Sequence, residues 1–182
     1  MIKKSEQSSK TEQTQNYYNG IASGYKNLYH EEQILKLNYV KDLFPKSGLC
    51  LDAGCGDGVL NQFINSNVKL YSFDLSVELL KLNSNGSTRK FCGSLTDLSI
   101  FENNKFDFIS CFSVIQDIFD FELVFDEFVR VLKAGGTLFL SFVKFSSKKD
   151  LILEKINNSS VFEVLESYEE NKDLIFVLKK KL

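Results

Sequence analysis

The stretch that decides the fold is LDAGCGDG, residues 51–58, which holds three of the ten glycines of this 182-residue chain. The apolar run GLCLDAG from Gly48 predicts a buried strand that ends at Asp52, and VLNQFINSN from Val59 predicts a short helix. A strand, a glycine turn and a helix N-terminus together bring a ligand close to backbone N–H groups. The stretch alone fits a simple turn, a dinucleotide loop or a cradle for another cofactor.

Downstream of this loop, strand-like and helix-like segments alternate. Strands are predicted for VKLYSFDLS (68–76), TRKFCGSL (88–95), KFDFISCFSV (105–114) and TLFLSFVKF (137–145), and helices for VELLKLNSN (77–85) and FELVFDEFVRVLKAGG (121–136). This alternation predicts parallel strands with crossover helices. Two further strand-like runs, 161–170 and 171–181, follow each other so closely that they must be antiparallel. The sequence therefore predicts an α/β fold: a doubly wound, seven-stranded, mostly parallel sheet with an antiparallel terminal β-hairpin.

The two ends of the chain differ from this alternating centre. Residues 1–15 are rich in Gln, Ser, Thr and Lys, which predicts a disordered N-terminal tail. Over residues 16–46 apolar residues recur at helical spacing, which predicts two N-terminal helices with a break near Leu28–His30. Residues 47–145 would form the sheet core, and residues 146–182 a helix followed by the terminal hairpin. We therefore expect a single domain from residue 16 to residue 182.

Composition argues against several classes of function. The formal net charge is only −2 with both signs mixed along the chain, so the sequence has no strong signature of nucleic-acid binding. No apolar run approaches the roughly eighteen residues of a membrane span, and the N-terminus lacks the apolar core of a signal peptide, which favours a cytoplasmic location without membrane contact. Cys50, Cys55, Cys92 and Cys111 form no Cys-x-x-Cys pair, and His30 is the only histidine. We expect buried free thiols and no metal site.

The acidic residues around the loop separate the cofactor classes. The dinucleotide pattern G-x-G-x-x-G needs a third glycine where this chain has Val59, so that match fails. Asp74 ends the second predicted strand, eighteen residues beyond Gly56, where a carboxylate can hold the hydroxyls of a ribose. Asp52, just before the glycines, would repel a pyrophosphate but suits a ligand that carries an ammonium and a sulfonium. The pattern therefore favours S-adenosylmethionine over a nicotinamide dinucleotide.

Five segments in order carry a resemblance to a known family. LDAGCGDG resembles the first motif of class I S-adenosylmethionine-dependent methyltransferases, and YSFDLSVELL (71–80) resembles the second. GSLTDL (93–98), KFDFISCFSVIQDI (105–118) and RVLKAGGTLFLSF (130–142) resemble the later ones. The resemblance runs from about Tyr17 to Leu178, and the two ends, YYNGIASGYKNLYHEEQ and LIFVLK, are similar to a group of small archaeal methyltransferases. It implies a Rossmann-like methyltransferase domain with residues 47–145 as its cofactor-binding core.

The resemblance also implies which residues bind the cofactor. These positions are Tyr17, Tyr25, Asp52, Ala53, Gly54, Gly56, Asp74, Leu75, Ser94, Leu95, Cys111 and Phe112. The backbone of Gly54 and Gly56 would pass beneath the methionine part, with Asp52 oriented toward its amino group. Asp74 would bind the ribose hydroxyls, and Leu75 would pack on the adenine.

The adenine end departs from the family pattern. Leu95 would supply a backbone N–H to the ring, but Ser94 stands where the family often has a carboxylate for the exocyclic amine. Asp97 either replaces that carboxylate or, as is common for Asp, caps a turn. Cys111 and Phe112 would line the methionine side.

Three tyrosines precede the sheet. Tyr17, Tyr18 and Tyr25 occupy the region where an N-terminal helix of the family often closes over the cofactor. They are equally well explained as aromatic residues packed within the helices.

The implied reaction is an in-line displacement on S-adenosylmethionine, in which the protein mainly aligns and desolvates the reactants. A protonated methyl acceptor would also need a base, for which Gln116 and Asp117 are the candidates, although Asp117 fits a helix-start role equally well. The methyl acceptor is unidentified. We favour a small molecule; the alternatives are RNA or protein with a partner subunit, a non-catalytic binding subunit of the same fold, and a nicotinamide oxidoreductase.

Overall fold

A seven-stranded sheet organises the computed structural model, which describes the backbone of residues 2–182 and side chains from residue 6 onward. The strands are β1 (Gly48–Ala53), β2 (Val68–Asp74), β3 (Arg89–Cys92), β4 (Phe106–Phe112), β5 (Leu132–Val143), β6 (Phe162–Glu169) and β7 (Asp173–Lys180). Their order across the sheet is β3-β2-β1-β4-β5-β7-β6, and β7 is antiparallel to both β5 and β6. The predicted fold class is confirmed.

Helices cover both faces of the sheet. They are α1 (Ile2–Ile21), α2 (Tyr25–Val40), α3 (Val77–Leu82), α4 (Phe121–Val131) and α5 (Lys149–Asn157). Successive residues of β1 point to opposite faces, so that Cys50 packs in a cluster with Leu37 and Val40 of α2, while Leu51 packs in a second cluster with Phe128 of α4. Two apolar layers therefore fix the sheet from both sides.

The structure of the N-terminal segment differs from the prediction of a disordered tail over residues 1–15. From Ile2 the chain is helical as α1, and Met1 lies outside the described residues. The polar composition suggested disorder because α1 buries little apolar surface of its own. Its order comes instead from contacts with the rest of the molecule, such as the Gln15 side-chain amide, which donates to the Leu75 carbonyl at 2.9 Å.

Three predicted helix boundaries also differ from the structure. The break between the N-terminal helices is not at Leu28–His30 but at the 3-10 turn Ala22–Gly24. Gly24 within this turn and Gly20 just before it both weaken a helix. The segment after the glycine loop forms only the 3-10 turn Val59–Gln62. Helix α4 ends at Val131 because Leu132 already pairs with Phe106 as part of β5.

The cysteines are all free thiols, of which Cys50, Cys55 and Cys111 are buried and Cys92 is exposed. No three or more His, Cys, Asp or Glu side chains within the described part of the chain are grouped so that they could hold a metal ion. None of the helices between residues 2 and 182 is long and apolar enough to cross a bilayer.

Candidate functional site

A cleft lies at the carboxyl ends of β1, β2 and β4, where the strand order reverses direction. This reversal is the place where open α/β sheets bind ligands. On one side, which we call the β2 side, the wall is formed by Asp74, Leu75, Leu79, Gly93, Ser94 and Leu95. On the other, the β4 side, it is formed by Phe112, Ser113, Val114, Asp117, Ile118 and Phe119. Helix α1, the lid helix, contributes Lys10, Thr11, Thr14 and Tyr18 above them.

The glycine loop forms the floor of the cleft between its two sides. Gly54 has φ +77° and Gly56 has φ +54°, a left-handed conformation that other residues rarely adopt. The N–H of Gly54 donates to the Phe73 carbonyl at 2.8 Å, which ties the loop to β2. A Cβ on Gly54 would overlap the side chain of Val114, and one on Gly56 would lie 3.0 Å from the Tyr25 hydroxyl. Both positions therefore favour glycine, most strongly Gly54, where the overlap with Val114 is added to the backbone strain.

Asp74 is fixed by the backbone around it. Its Oδ2 accepts from the Gly56 N–H and its Oδ1 from the Ser76 N–H, both at 2.8 Å. Burial raises the pKa of this carboxyl although the two N–H groups act to lower it. Each carboxylate oxygen keeps a second lone pair, so Asp74 can still accept hydrogen bonds from a pair of ligand hydroxyls.

Asp52 is buried near the end of β1 and lines a small cavity beside the cleft, which shares Tyr25, Gly54 and Phe112 with it. Its Oδ2 has no hydrogen-bond partner among the described residues. Burial, followed by the charges of Asp74 and Asp57, raises the pKa of Asp52 to about 8. A buried carboxylate oxygen without a partner is costly unless a ligand satisfies it. Together with the glycine floor and Asp74, it fits a ligand that carries both a ribose and an ammonium group.

The β2 side holds the residues expected at the adenine. Leu75, Ser94 and Leu95 all line the cleft, and the Ser94 hydroxyl lies 2.8 Å from that of Thr96. Asp97 instead caps a turn: its Oδ1 accepts from the Ser99 N–H at 3.0 Å, and this contact lowers its pKa. This geometry supports the turn interpretation of Asp97 over a role at the ligand.

Several predicted positions lie away from the cleft wall. Ala53 and Cys111 are fully buried in the core cluster on the α4 face, and Tyr17 is 53% exposed on the outer side of α1. Tyr25 and Phe112 line the cleft as expected. The side chains of these three residues do not line the cleft, because successive side chains point to opposite faces of a strand and are about 100° apart around a helix.

The β4 side combines apolar walls with one polar pair. The Tyr18 hydroxyl of the lid helix donates to Asp117 Oδ2 at 2.9 Å, and burial raises the pKa of Asp117. Gln116 lies just outside the wall, and its amide donates to the Ser113 carbonyl at 2.8 Å and to Asp117 Oδ2 at 3.4 Å. Of the two candidate bases, the structure therefore brings Asp117 to the cleft.

A buried ionic cluster next to the β4 side was not predicted. The Lys36 ammonium, fully buried on α2, contacts Glu32 Oε1 at 2.9 Å, Ser113 Oγ at 2.5 Å and Asp173 Oδ2. The Ser113 hydroxyl also lies 2.9 Å from Asp173 Oδ2. The sequence gives one weak signal for it, a Glu and a Lys four residues apart within an otherwise apolar helix face.

The lid helix is held to the β2 side by polar contacts. The Ser76 hydroxyl donates to Asn19 Oδ1 at 2.6 Å, next to the Gln15 contact with Leu75. Under this lid the cleft has a volume of about 90 Å³ and stays partly open to solvent.

Comparison with protein families places residues 51–140, about half of the chain, in a family described as "Methyltransferase domain". Curated proteins named "Ubiquinone biosynthesis O-methyltransferase" also match. The protein from Xanthomonas oryzae pv. oryzae is 29% identical over 128 residues, covering 66% of this chain and 54% of that protein. The one from Xylella fastidiosa is 29% identical over 120 residues, 62% of this chain and 49% of that protein. The chain thus spans about half the length of the curated relatives it matches.

Solved structures share the fold at low sequence identity. A chain from the complex of the Haloferax volcanii Trm112 methyltransferase activator with a methyltransferase has a TM-score of 0.76 at 13% identity, covering 91% of this chain and 98% of that one. An S-adenosylmethionine-dependent methyltransferase from Thermotoga maritima has a TM-score of 0.69 at 18% identity, covering 90% and 98%. The cyclase SpnF has a TM-score of 0.68 at 15% identity, covering 79% and 80%. At these identities the likeness shows the fold alone, and a cyclase shares it.

Proposed function

Because the chain belongs to the class I S-adenosylmethionine-dependent methyltransferases, we propose that it binds S-adenosylmethionine in the cleft under the lid helix and methylates a small molecule. The observation that carries this proposal is the pair of buried carboxylates on the glycine floor. Asp52 has an oxygen without a partner, and Asp74 is fixed by two backbone N–H groups. The two carboxylates suit a ligand that carries both a cation, which would pair with Asp52, and a diol, which would donate hydrogen bonds to Asp74.

Each part of the cofactor has a matching group in the cleft or in the small cavity beside it. Asp74 would accept hydrogen bonds from the ribose hydroxyls, and Asp52 would neutralise the amino group. Leu75 and Leu95 supply apolar surface for the adenine. The backbone at Gly54 allows the methionine part to pass close to the loop because no Cβ stands in its way.

When bound, the cofactor supplies a methyl group already activated by its sulfonium. The residues of the chain then align the reactants and exclude water. The Tyr18 hydroxyl holds the Asp117 carboxyl on the β4 side. Burial raises the pKa of Asp117, which makes its carboxylate a better base for a hydroxyl proton. Asp117 is therefore the proposed proton acceptor for a methyl acceptor that reacts through a hydroxyl.

The walls of the β4 side favour a small methyl acceptor. Phe112, Val114, Ile118 and Phe119 provide apolar surface of the kind that pockets for small molecules share. The curated relatives are named as O-methyltransferases of ubiquinone biosynthesis, which supports an acceptor of this size with a hydroxyl. The net charge of −2 gives no support for RNA.

The lid helix has to move for this function. The cleft volume of about 90 Å³ is well below the roughly 300 Å³ at which pockets for small ligands begin. We therefore propose that α1 opens to admit the cofactor and closes again over it.

A thermal-shift experiment tests the proposal. The protein is heated with S-adenosylmethionine, S-adenosylhomocysteine or NAD, each at several concentrations. We expect both adenosyl compounds to raise Tm and NAD to leave it unchanged, because a ligand that binds only the folded state stabilises it. Stabilisation by NAD alone, or by none of the three, would contradict the proposal.

A protein partner is a second proposal, supported by the fold neighbour from a complex with the Trm112 methyltransferase activator. The tagged full-length protein would be purified under native conditions from the organism that encodes it, and the mass of the eluted species measured. A second protein in fixed stoichiometry supports a partner subunit, whereas recovery of the monomer alone contradicts it.

A further inference from the structure

A second, larger cavity lies beside the cleft, and we call it the tyrosine pocket. It has a volume of about 450 Å³ and is lined by Gln13, Thr14, Tyr17, Tyr18, Tyr29 and Asp117. Thr14, Tyr18 and Asp117 also line the cleft, whereas the other three residues do not. Sites for small ligands span roughly 300–1,000 Å³. The tyrosine pocket is therefore large enough for a ligand of its own.

Three tyrosine side chains contribute most of the wall of the tyrosine pocket. The rings of Tyr17 and Tyr18 have their centroids 5.2 Å apart and meet at 77°, so they form a corner instead of a stack. The hydroxyl of Tyr29, from α2, lies 3.4 Å from that of Tyr17. This contact, followed by partial burial, raises the pKa of Tyr29 to about 12, so its ring stays neutral at physiological pH. Neutral aromatic rings attract cations to their faces.

The Asp117 carboxylate is the only charged group among the described residues that line the tyrosine pocket. Its Oδ2 accepts from the Tyr18 hydroxyl and the Gln116 amide, which are both neutral. The nearby Lys148 ammonium donates to the Ile118 carbonyl at 2.5 Å and does not line the pocket. Burial raises the pKa of Asp117, and a cation in the pocket would favour its charged form. Aromatic rings beside one carboxylate favour a positively charged ligand over a neutral or an anionic one.

We propose that the tyrosine pocket binds a small alkylammonium cation, and that the bound cation holds the lid helix closed. Tyr17 and Tyr18 belong to the lid helix, whereas Tyr29 belongs to α2 and Asp117 follows β4, so the pocket has this form only while the lid is closed. A ligand that binds one of two conformations shifts the population toward it. The site itself is independent of the proposed function, whereas its effect on the lid rests on the proposed opening of α1.

A pair of probes with the same shape tests the preference for a cation. Choline and its carbon analogue 3,3-dimethylbutanol differ only in the atom that carries the charge, and a quaternary ammonium is the type of cation that aromatic rings bind. Both are titrated into the full-length protein, and their affinities are measured by ligand-observed NMR. We expect choline to bind about tenfold more tightly than the carbon analogue. Equal affinities, or no binding of choline, would overturn the proposal.

Tyrosine variants test whether the preference arises in the tyrosine pocket. Tyr17 is half-exposed and does not line the cleft, so Tyr17→Leu should fold and should lower the ratio of the two affinities to about threefold. Tyr17→Phe retains the ring and should keep most of the ratio. The matched control, Tyr39→Leu, removes a half-exposed ring of α2 outside the pocket and should leave the ratio unchanged. A Tyr17→Leu variant with the wild-type ratio would overturn the proposal, because choline would then bind elsewhere.

The release of S-adenosylhomocysteine tests the effect on the lid. The radiolabelled compound is chased from the protein by an excess of the unlabelled one, with and without choline at ten times its Kd. Release should slow about tenfold, because a ligand restricted to the closed form lowers the open population by the factor 1 + [L]/Kd. The carbon analogue at the same concentration should slow release about twofold at most.

An unchanged or faster release in the presence of choline would overturn the effect on the lid, and a faster release would show that choline competes for the cleft. Failure of S-adenosylhomocysteine to bind at all would contradict the proposed function instead. The choline titrations with the wild type and Tyr17→Leu would still decide whether the site exists.

Discussion

The two sides of the cleft are built in different ways. On the β2 side the polar groups belong to short stretches of sequence, since Asp74 is held by the N–H groups of Gly56 and Ser76. On the β4 side the polar groups come from distant segments, since Ser113 is held by Lys36 of α2 and Asp173 of β7. The first arrangement follows from local backbone geometry, while the second exists only once the helices and the terminal hairpin have packed.

This difference predicts how substitutions divide. Changes on the glycine floor and at Asp74 should act on binding of the adenosyl cofactor. Changes at Asp117 and the apolar residues of the β4 side should act on the methyl acceptor and leave cofactor binding largely intact. The predictions below test this division, beginning with the largest expected effect.

Replacing Asp74 by Ala should weaken S-adenosylhomocysteine binding about 100-fold, measured by isothermal titration calorimetry. The carboxylate would supply hydrogen bonds to the ribose, and bonds to a charged group are among the stronger ones. It also fixes the Gly56 N–H, so its loss should loosen the glycine floor.

The matched control is Asp97→Ala, which removes a carboxylate from an exposed turn near the same side of the cleft. It should bind S-adenosylhomocysteine like the wild type. Equal affinities for the wild type and Asp74→Ala would contradict the ribose assignment.

The same division explains which features the sequence could predict. Asp52, the glycines and Asp74 were identifiable because their chemistry depends on spacing within one continuous segment, from β1 through the glycine loop to the end of β2. The order of α1 and the Lys36 cluster were not, because both depend on contacts between residues far apart in sequence. Ala53 and Cys111 were placed at the site by motif, yet their side chains face the core. A motif locates a segment, but the pleat of the strand decides which of its residues the ligand meets.

Replacing Gly54 by Ala should destabilise the protein by about 2 kcal/mol and weaken cofactor binding about tenfold or more. The new Cβ would overlap Val114, and the left-handed φ would remain strained. Urea unfolding and titration calorimetry measure the two effects.

The double variant Gly54→Ala/Val114→Ala separates the causes. It should recover the steric part of the lost stability and retain the backbone strain of about 1 kcal/mol. Adding the stability losses of the two single variants predicts the loss in the double variant if the two sites do not interact. If the double variant is no more stable than this sum predicts, the overlap with Val114 is not the cause of the destabilisation by Gly54→Ala.

The affinity for S-adenosylmethionine should rise about 25-fold between pH 6.5 and 8.5, because the pKa of Asp52 is raised to about 8. Below that pKa the free carboxyl is protonated and must lose its proton to pair with the amino group of the ligand; above it this cost disappears. Calorimetry in buffers of different ionisation enthalpy should show proton release near pH 7. Asp52→Asn should bind more weakly at pH 8.5 and lose most of the pH dependence.

The stability of the free protein should show the opposite dependence on pH. An unfolded Asp ionises near pH 3.9, whereas folded Asp52 does so only near pH 8. Between these values the unfolded state gains the charge first, so this group costs stability progressively as the pH rises through the window. Asp52→Asn should therefore be more stable than the wild type at pH 8, by on the order of 5 kcal/mol, and nearly equal at pH 4. A wild type as stable as the variant at pH 8 would contradict the burial argument.

A substitution in the lid helix should have the smallest effect, and it should change the rates of ligand binding more than the affinity. Asn19→Ala removes the 2.6 Å contact with Ser76 and should raise the open population of α1. Association and dissociation of S-adenosylhomocysteine should both accelerate about threefold, while Kd changes little, because one net hydrogen bond is lost on opening. Stopped-flow tyrosine fluorescence can follow this, since the chain has no Trp and Tyr25 faces the glycine floor. The control is Glu12→Ala, on the exposed face of the same helix, which should leave both rates unchanged. Slower association in Asn19→Ala would contradict the prediction, because it would mean that α1 assists entry of the ligand instead of obstructing it.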